Sequence, residues 1–213
     1  MSTPSPRLRR EPPEGSAKYQ AILNAAEELF GVHGFKKAGV EEIAAQAQVS
    51  KPLIYRYFTS KKDLFEVVVA HVIHEWCEVI STEAARITPS PVHNLHLIIQ
   101  ASLEFARNRD VLGGLLASES QLMLADYSDV LERGTATLRR VITETLERGV
   151  RTGDVRTDLD LARMADVITE VCVRFGDRLL LSAPDTGDTA LLDTIIETLL
   201  HGVIAHREAR ETA

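Results

Sequence analysis

Apolar side chains recur at three- and four-residue intervals through most of this chain, with no convincing strand alternation, and such a pattern buries its apolar face as helices. Ile22, Ala25, Ala26, Leu29 and Phe30 set the period over 16–33, and Gly34 reads as the stop. A short second helix over 40–47 carries Ile43, Ala44 and Ala47 on one face. A third spans 52–58, with Ser50 as its expected N-cap and proline in the first turn. Ser60-Lys61-Lys62-Asp63 has the spacing of a capping box, with Asp in place of the usual Glu. It opens a long fourth helix through Leu64, Phe65, Val68, Val72, Ile73, Trp76 and Ile80. Thr88-Pro89-Ser90-Pro91 breaks the pattern, and helices are then predicted over 92–107, 110–120, 127–151, 160–182 and 189–208. About nine helices without strands make an all-α protein. No internal repeat is detectable.

Charge is divided unevenly along the 213 residues. The chain carries −7 overall, which argues at first against a nucleic-acid partner. Residues 1–62, however, hold 10 Lys and Arg against 6 Asp and Glu, while the remainder holds 14 against 25. All six lysines fall in the first part: Lys18, Lys36, Lys37, Lys51, Lys61 and Lys62. That asymmetry fits a polyanion-binding module on an acidic body, and chance drift of surface composition is its alternative.

Cys77 and Cys172 lie far apart within helix-like sequence and form no CxxC pair, so a reducing cytoplasm is the expected compartment. Residues 1–15 are rich in Pro, Ser and Arg and almost devoid of apolar side chains, which reads as a disordered arm rather than a signal peptide. No apolar run approaches the ~20 residues that a membrane span needs.

Residues 39–58 follow the steric rules of a helix-turn-helix. Two closely crossing helices need a small contact residue, which Ala44 supplies; Ile43 and Ala47 face the core, and Val49 seals the turn. Ile54 and Tyr57 or Phe58 are expected to anchor the second helix from inside. Lys51, Pro52, Leu53, Tyr55 and Arg56 then fall on or beside the outward face, open to double-stranded DNA. One position departs from the pattern. The turn residue before Val49 needs positive φ and is usually glycine, but here it is Gln48, at a cost of ~1 kcal/mol.

Flanking residues add a resemblance. Phe30-Gly31-Val32-His33-Gly34-Phe35, Val40-Glu41-Glu42-Ile43-Ala44, Val49-Ser50-Lys51-Pro52-Leu53-Ile54-Tyr55-Arg56-Tyr57-Phe58 and Ser60-Lys61-Lys62-Asp63-Leu64-Phe65 closely resemble the DNA-binding domain of the tetracycline-repressor (TetR) family. The likeness covers about residues 16–76, and Gly153-Asp154-Val155-Arg156-Thr157-Asp158 also looks family-like. It implies a three-helix DNA-binding unit, a fourth helix leading into a ligand-binding and dimerisation body over 77–213, and a homodimer. In that family the last two helices of each subunit form an intersubunit four-helix bundle. The implied function is ligand-responsive, sequence-specific regulation of transcription, most often by a repressor that a small effector releases from a palindromic operator. A ligand-dependent activator and an architectural DNA-binding protein without an effector are the alternatives. Gly39 stands where Thr often caps the second helix and touches phosphate. Leu53 stands where a small polar residue often reads base edges, which leaves apolar readout there, as of a thymine methyl.

Individual roles follow from side-chain chemistry. Tyr55 is expected to offer its hydroxyl to a phosphate and Tyr57 to be partly core. Arg56 is the candidate for reading guanine, with a phosphate contact as its alternative. Lys61, at a helix N-terminus, is a candidate phosphate clamp whose bland reading is a solvated lysine. Lys36 and Lys37 read as a solvated loop. His71 with His74, and His93 with His96, form two HxxH pairs, yet no carboxylate or cysteine completes a ligand set in sequence, so no metal is assigned and none of the residues implies a cofactor. There is no nucleophile elbow, no phosphate-cradling glycine loop and no framed carboxylate pair, so an enzyme is not expected.

Two apolar stripes mark the expected dimer interface. Helix 160–182 carries Ala162, Ala165, Ile168, Cys172, Phe175 and Leu179; helix 189–208 carries Leu192, Ile195, Ile196, Leu199, Leu200 and Val203. The alternative is that both stripes cover the body's own core. A cavity for a small lipophilic effector would be walled by Trp76, Ile80, Leu103, Met123, Leu138, Ile142, Cys172 and Phe175, chosen as bulky and inward by periodicity.

Overall fold

A computed structural model describes residues 17–107, 128–181 and 186–204. It contains eight α-helices: α1 (Ala17–Lys37), α2 (Val40–Gln46), α3 (Lys51–Tyr57), α4 (Lys61–Ala85), α5 (Pro91–Arg107), α6 (Ser128–Thr152), α7 (Leu161–Leu181) and α8 (Thr186–Val203). The protein is all-α, with one isolated antiparallel bridge between Val155 and Ile204 among the described residues. The arm expected over 1–15, the helix expected over 110–120 and Met123 lie outside the described residues.

Local sequence accounts for the helix ends. Gly34 takes φ 72° and ψ 166° and kinks α1 short of its last turn, where Ala38 N–H donates to the Gly34 carbonyl at 3.2 Å. A β-carbon there would meet nothing, so the backbone sign alone calls for glycine. Ser60 caps α4 by accepting the Asp63 N–H at 3.0 Å. The reciprocal half of that capping box is shifted by one residue, because Asp63 takes the backbone N–H of Thr59 at 2.6 Å instead of that of Ser60.

Two apolar clusters hold the helices together. In the first, Ile22, Ala26 and Phe30 of α1, Ile43 of α2 and Ile54 of α3 close on Leu64, Phe65 and Val72 of α4. In the second, Ile80 of α4 meets Ile98 and Ile99 of α5, Leu138 and Ile142 of α6, Ala165 and Ile168 of α7, and Ile196 of α8. α4 runs through both, and Trp76 packs against each. Its indole N–H donates to Ser102 Oγ of α5 at 3.1 Å, as a half-buried indole requires.

The far end of α4 is tied to α5 and α6 by polar side chains. Asn94, 1% exposed, donates its amide to the Glu83 carbonyl at 2.7 Å. Arg148 Nη2 donates to Asn94 Oδ1 at 2.6 Å and to Thr145 Oγ1 at 3.1 Å, and reaches the Ala84 carbonyl at 3.5 Å. The last carbonyls of a helix lack partners within it, and here a neutral amide and a cation supply them.

The terminal helices depart from expectation in two respects. α8 starts at Thr186, three residues before the expected start at 189, and ends at Val203, while residues 205–208 of the expected helix lie outside the described residues. It stops because the chain is captured: Arg156 N–H donates to the Val203 carbonyl at 3.0 Å beside the Val155–Ile204 bridge. The apolar stripe of α7 also faces inward. Ala165, Ile168 and Cys172 are buried in this chain's own second cluster, because α7 packs on both α5 and α6, while Ala162 is exposed. On α8, Ile196 and Val203 are buried, whereas Ile195, Leu199 and Leu200 are half-buried. The side chains of Phe175, Leu179 and Leu192 lie outside the described set.

Candidate nucleic-acid interface and sensor core

The helix-turn-helix is assembled from the small and apolar residues that its sequence supplies. Ile43 and Ala44 are buried, which lets α2 approach α3. The turn between them is closed by Gln48 N–H donating to Ala45 at 3.1 Å and Val49 N–H donating to Ala44 at 2.9 Å. Gln48 sits at φ 54°, the left-handed conformation that the motif demands, although its side chain disfavours it. Ser50 precedes α3 as N-cap through its backbone: its carbonyl accepts Leu53 N–H at 2.9 Å, and its hydroxyl makes no capping bond. Pro52 lies in the first turn, where no N–H is needed.

Ile54 and Phe58 anchor α3 from inside. Tyr57 is half-buried and stands edge-on to Tyr19 of α1, with centroids 5.4 Å apart. Lys51, Pro52, Tyr55 and Arg56 are exposed, with Tyr55 at 46%, and Leu53 is half-buried beside them. Of the residues read from sequence as DNA-facing, four therefore share one open surface, and Leu53 and Tyr57 border it.

Lys61 is differently placed. Its ammonium donates to the Lys36 carbonyl at 3.2 Å and lies 4.7 Å from the centroid of the Phe35 ring. Partial burial lowers its pKa from the usual lysine range. The side chain thus caps the end of α1 while standing at the start of α4. A residue that the sequence reading passed over is Glu41, in the first turn of α2, whose carboxylate pairs with the Lys51 ammonium. The hydrogen bond to Lys51 holds the Glu41 carboxyl below its ordinary pKa, and the same bond raises that of Lys51. Proximity was the missing signal, since the two residues stand ten apart and meet only once the motif folds.

In the second cluster, Ile80, Leu103, Leu138, Ile142 and Cys172 come together as buried side chains, with Trp76 half-buried at the edge. Phe175 lies on α7 without a described side chain, and Met123 is not described. Burial pushes the Cys172 thiol up to about 12. Thr169, 1% exposed on α7, has a hydroxyl without a hydrogen-bond partner among the described residues. The four histidines do not converge. His71 faces Glu75 at 3.5 Å and His74 faces Glu78 at 3.4 Å, while the rings of His93 and His96 lie 6.4 Å apart. Among the described residues no group of three or more His, Cys, Asp or Glu side chains is arranged to hold a metal ion. No described helix is long and apolar enough to cross a membrane.

The family described as "Bacterial regulatory proteins, tetR family" matches residues 22–68, the span of the helix-turn-helix and its supports. The HTH-type transcriptional repressor BepR of Brucella suis biovar 1 (strain 1330) is 33% identical over 97 residues, covering 46% of this chain and 46% of that protein. The HTH-type transcriptional regulator RutR of Escherichia coli (strain K12) is 32% identical over 129 residues, covering 61% and 58%. The chain thus spans about half the length of these curated relatives. Among solved structures, the fatty acid degradation regulator FadR from Bacillus halodurans superimposes with a TM-score of 0.71 at 21% identity, over 90% of this chain and 97% of that one. FadR from Bacillus subtilis, solved in complex with stearoyl-CoA, gives 0.68 at 20% identity, over 86% and 98%. At such identities the structural likeness establishes the fold alone.

Proposed function

The chain belongs to the TetR family of bacterial regulatory proteins, and on that premise we propose that it is a sequence-specific, ligand-responsive regulator of transcription that acts as a homodimer. The observation that carries this reading is the single open surface formed by Lys51, Pro52, Tyr55 and Arg56 on a buried helix-turn-helix scaffold. Residues 16–76 form the DNA-binding module, with its motif at 39–58, and residues 77–213 form the sensor and dimerisation body. Lys51, Tyr55 and Lys61 contact backbone phosphates. Arg56 reads a base edge, and Pro52, Leu53 and Tyr57 shape the fit around it.

The second copy packs against the outer sides of α7 and α8. There Val167 remains 50% exposed and Leu191, Ile195, Leu199 and Leu200 are half-buried in one chain, which leaves apolar surface for a partner. Two recognition helices related by a two-fold axis then face half-sites one helical turn apart, ~34–36 Å, and the site is palindromic. The effector is small and lipophilic, in keeping with the aliphatic second cluster built around Ile80, Leu103, Leu138, Ile142 and Cys172, with Trp76 packed at its edge. It favours one body conformation and thereby withdraws the recognition helices from the operator, so the protein represses and is released.

Repeated selection of duplexes from a random-sequence pool by the purified protein tests the first half of this reading. Enrichment of a two-fold symmetric site supports it, and recovery of unrelated sequences overturns it. Fluorescence anisotropy on the selected site, with a panel of aliphatic acids and their thioesters, tests the second half. A true effector changes affinity ~5–150-fold, weakening it for a repressor and tightening it for an activator.

A further inference from the structure

At the edge of the DNA-facing surface, the donors that a phosphate would use are already occupied by carboxylates. Glu42 accepts the Gly39 backbone N–H at 3.0 Å, so that amide is turned inward to its own helix. Glu41, the residue before it on the same turn, accepts a hydrogen bond from the ammonium of Lys51. The second pairing is not imposed by packing, since the side chains are 44% exposed for Lys51 and 69% for Glu41. Lys51 Nζ also stands 5.9 Å from the centroid of the Tyr55 ring, so the ammonium is bracketed by Glu41 on α2 and Tyr55 one turn along α3. Both members of the pair shift in the direction that the other causes, which keeps the carboxylate ionised and the amine protonated at neutral pH.

We propose that Glu41 sets the affinity of the DNA-binding face by acting as the resident counter-ion of Lys51, holding in the DNA-free protein the ammonium that a backbone phosphate claims on binding. This inference rests on the DNA-binding function proposed above. A carboxylate and a phosphodiester are both singly charged oxyanions, and the four-carbon stem of lysine lets its ammonium swing from one to the other without moving α3. What differs is the charge left behind. When Lys51 turns to a phosphate, Glu41 remains on the same face without its cation, within a Debye length of the duplex, and repels it. A Lys51 that Glu41 retains neutralises no phosphate, and one that leaves Glu41 gives up an ion pair, so a contact is exchanged rather than gained. Cations condensed on DNA are released in proportion to the phosphates that the protein's cations neutralise, so the pairing also flattens the salt dependence of binding by about one contact.

The experiment measures affinity for a fluorescein-labelled duplex of random sequence by anisotropy, from about 50 to about 200 mM NaCl. The proteins are the unaltered chain, Glu41→Gln, Lys51→Met and the double variant. All changes lie on exposed side chains, and superimposable thermal melts establish that each protein is folded. Glu41→Gln is expected to bind several-fold tighter at the low-salt end, with the log–log slope steeper by about 0.9. In the Lys51→Met background the same Glu41→Gln change is expected to have a much smaller effect on slope and affinity. An unchanged slope for Glu41→Gln overturns the proposal while leaving the DNA-binding reading intact. So does a full effect that persists without Lys51, because Glu41 then acts through net charge alone. If the unaltered chain shows no salt-dependent affinity for duplex DNA at all, the DNA-binding reading fails, and this inference with it.

Discussion

The indole of Trp76 rests directly on the backbone of Gly134: a β-carbon built on that glycine would fall 2.8 Å from Cζ3 and 3.0 Å from Cε3. No side chain separates α4 from α6 at this point, and the ring has little freedom to retreat because its N–H is bonded to Ser102. Replacing a glycine by alanine inside a helix ordinarily gains about 1 kcal/mol. Gly134→Ala is expected to reverse that sign and lose about 1–2 kcal/mol, because the clash is with an aromatic ring in a filled space. Trp76 is the only tryptophan, so a melt followed by tryptophan emission reports on the site itself. A variant with raised stability and unchanged emission would show that the ring yields freely.

Gln48 offers the opposite case. A non-glycine residue at φ 54° carries a cost of about 1–2 kcal/mol, and a glycine there gives back about 0.5–1 kcal/mol through the freedom it adds to the unfolded chain. Gln48→Gly should therefore stabilise the protein by about 0.5–1 kcal/mol in urea denaturation, with duplex affinity unchanged. A loss of stability would mean that the Gln48 side chain contributes a contact larger than its backbone strain.

Lys61 and Arg56 should fail differently. Lys61→Ala is expected to weaken binding to every duplex and flatten the salt slope by about one unit. It should also lower the melting temperature slightly, because the Lys36 carbonyl and the Phe35 ring lose their cation. Arg56→Ala should leave stability alone, cost ~1–3 kcal/mol on a selected site and relax preference at one base pair. Equal losses on selected and random duplexes for both variants would make Arg56 a second phosphate contact.

The two cysteines should be distinguishable by reagent. Cys172 is buried with its thiol pushed up to about 12, whereas Cys77 is partly exposed on α4. Iodoacetamide at neutral pH is expected to label Cys77 in the folded protein and to reach Cys172 only in denaturant, as read by mass spectrometry. Because folding raises the pKa of this thiol above its ordinary value of 9.0, the stability it contributes is complete below pH 9 and is lost as pH rises towards about 12. Rapid labelling of Cys172 in the folded state would show that the second cluster opens readily.

The parts of this structure that were legible in the sequence are those fixed by local pattern. The period of Leu64, Phe65, Val68, Val72 and Ile73 identified α4, and the small residue at Ala44 with Val49 sealing the turn identified the helix-turn-helix in spite of Gln48. What an amphipathic stripe packs against is a different matter. Ala165, Ile168 and Cys172 look the same in sequence whether they face a partner or the chain's own α5 and α6, and they face the latter. The place of Lys61 at the start of α4 was visible, but the Lys36 carbonyl and the Phe35 ring of α1 that its ammonium also touches, some 25 residues earlier, were not. Glu41 escaped notice for the same reason, since a charge gains its meaning from whichever charge the fold brings beside it.

The polar tie at the far end of α4 has a mechanical consequence. A helix of 25 residues is about 37 Å long at 1.5 Å per residue, and this one is held at Glu83 and Ala84 by Asn94 and Arg148 while its other end carries Ser60, Lys61 and the packing of α1. With that far end fixed, α4 would act as a lever whose fulcrum is the Asn94–Arg148 tie and whose load is the proposed DNA-binding module. A tilt of about five degrees, too small to disturb the side chains near Ile80, displaces the Lys61 end by about 3 Å, which exceeds the tolerance of a hydrogen bond to a base edge. In a two-fold dimer the displacement enters twice, and the two recognition helices change separation by up to about 6 Å without either module altering its own fold.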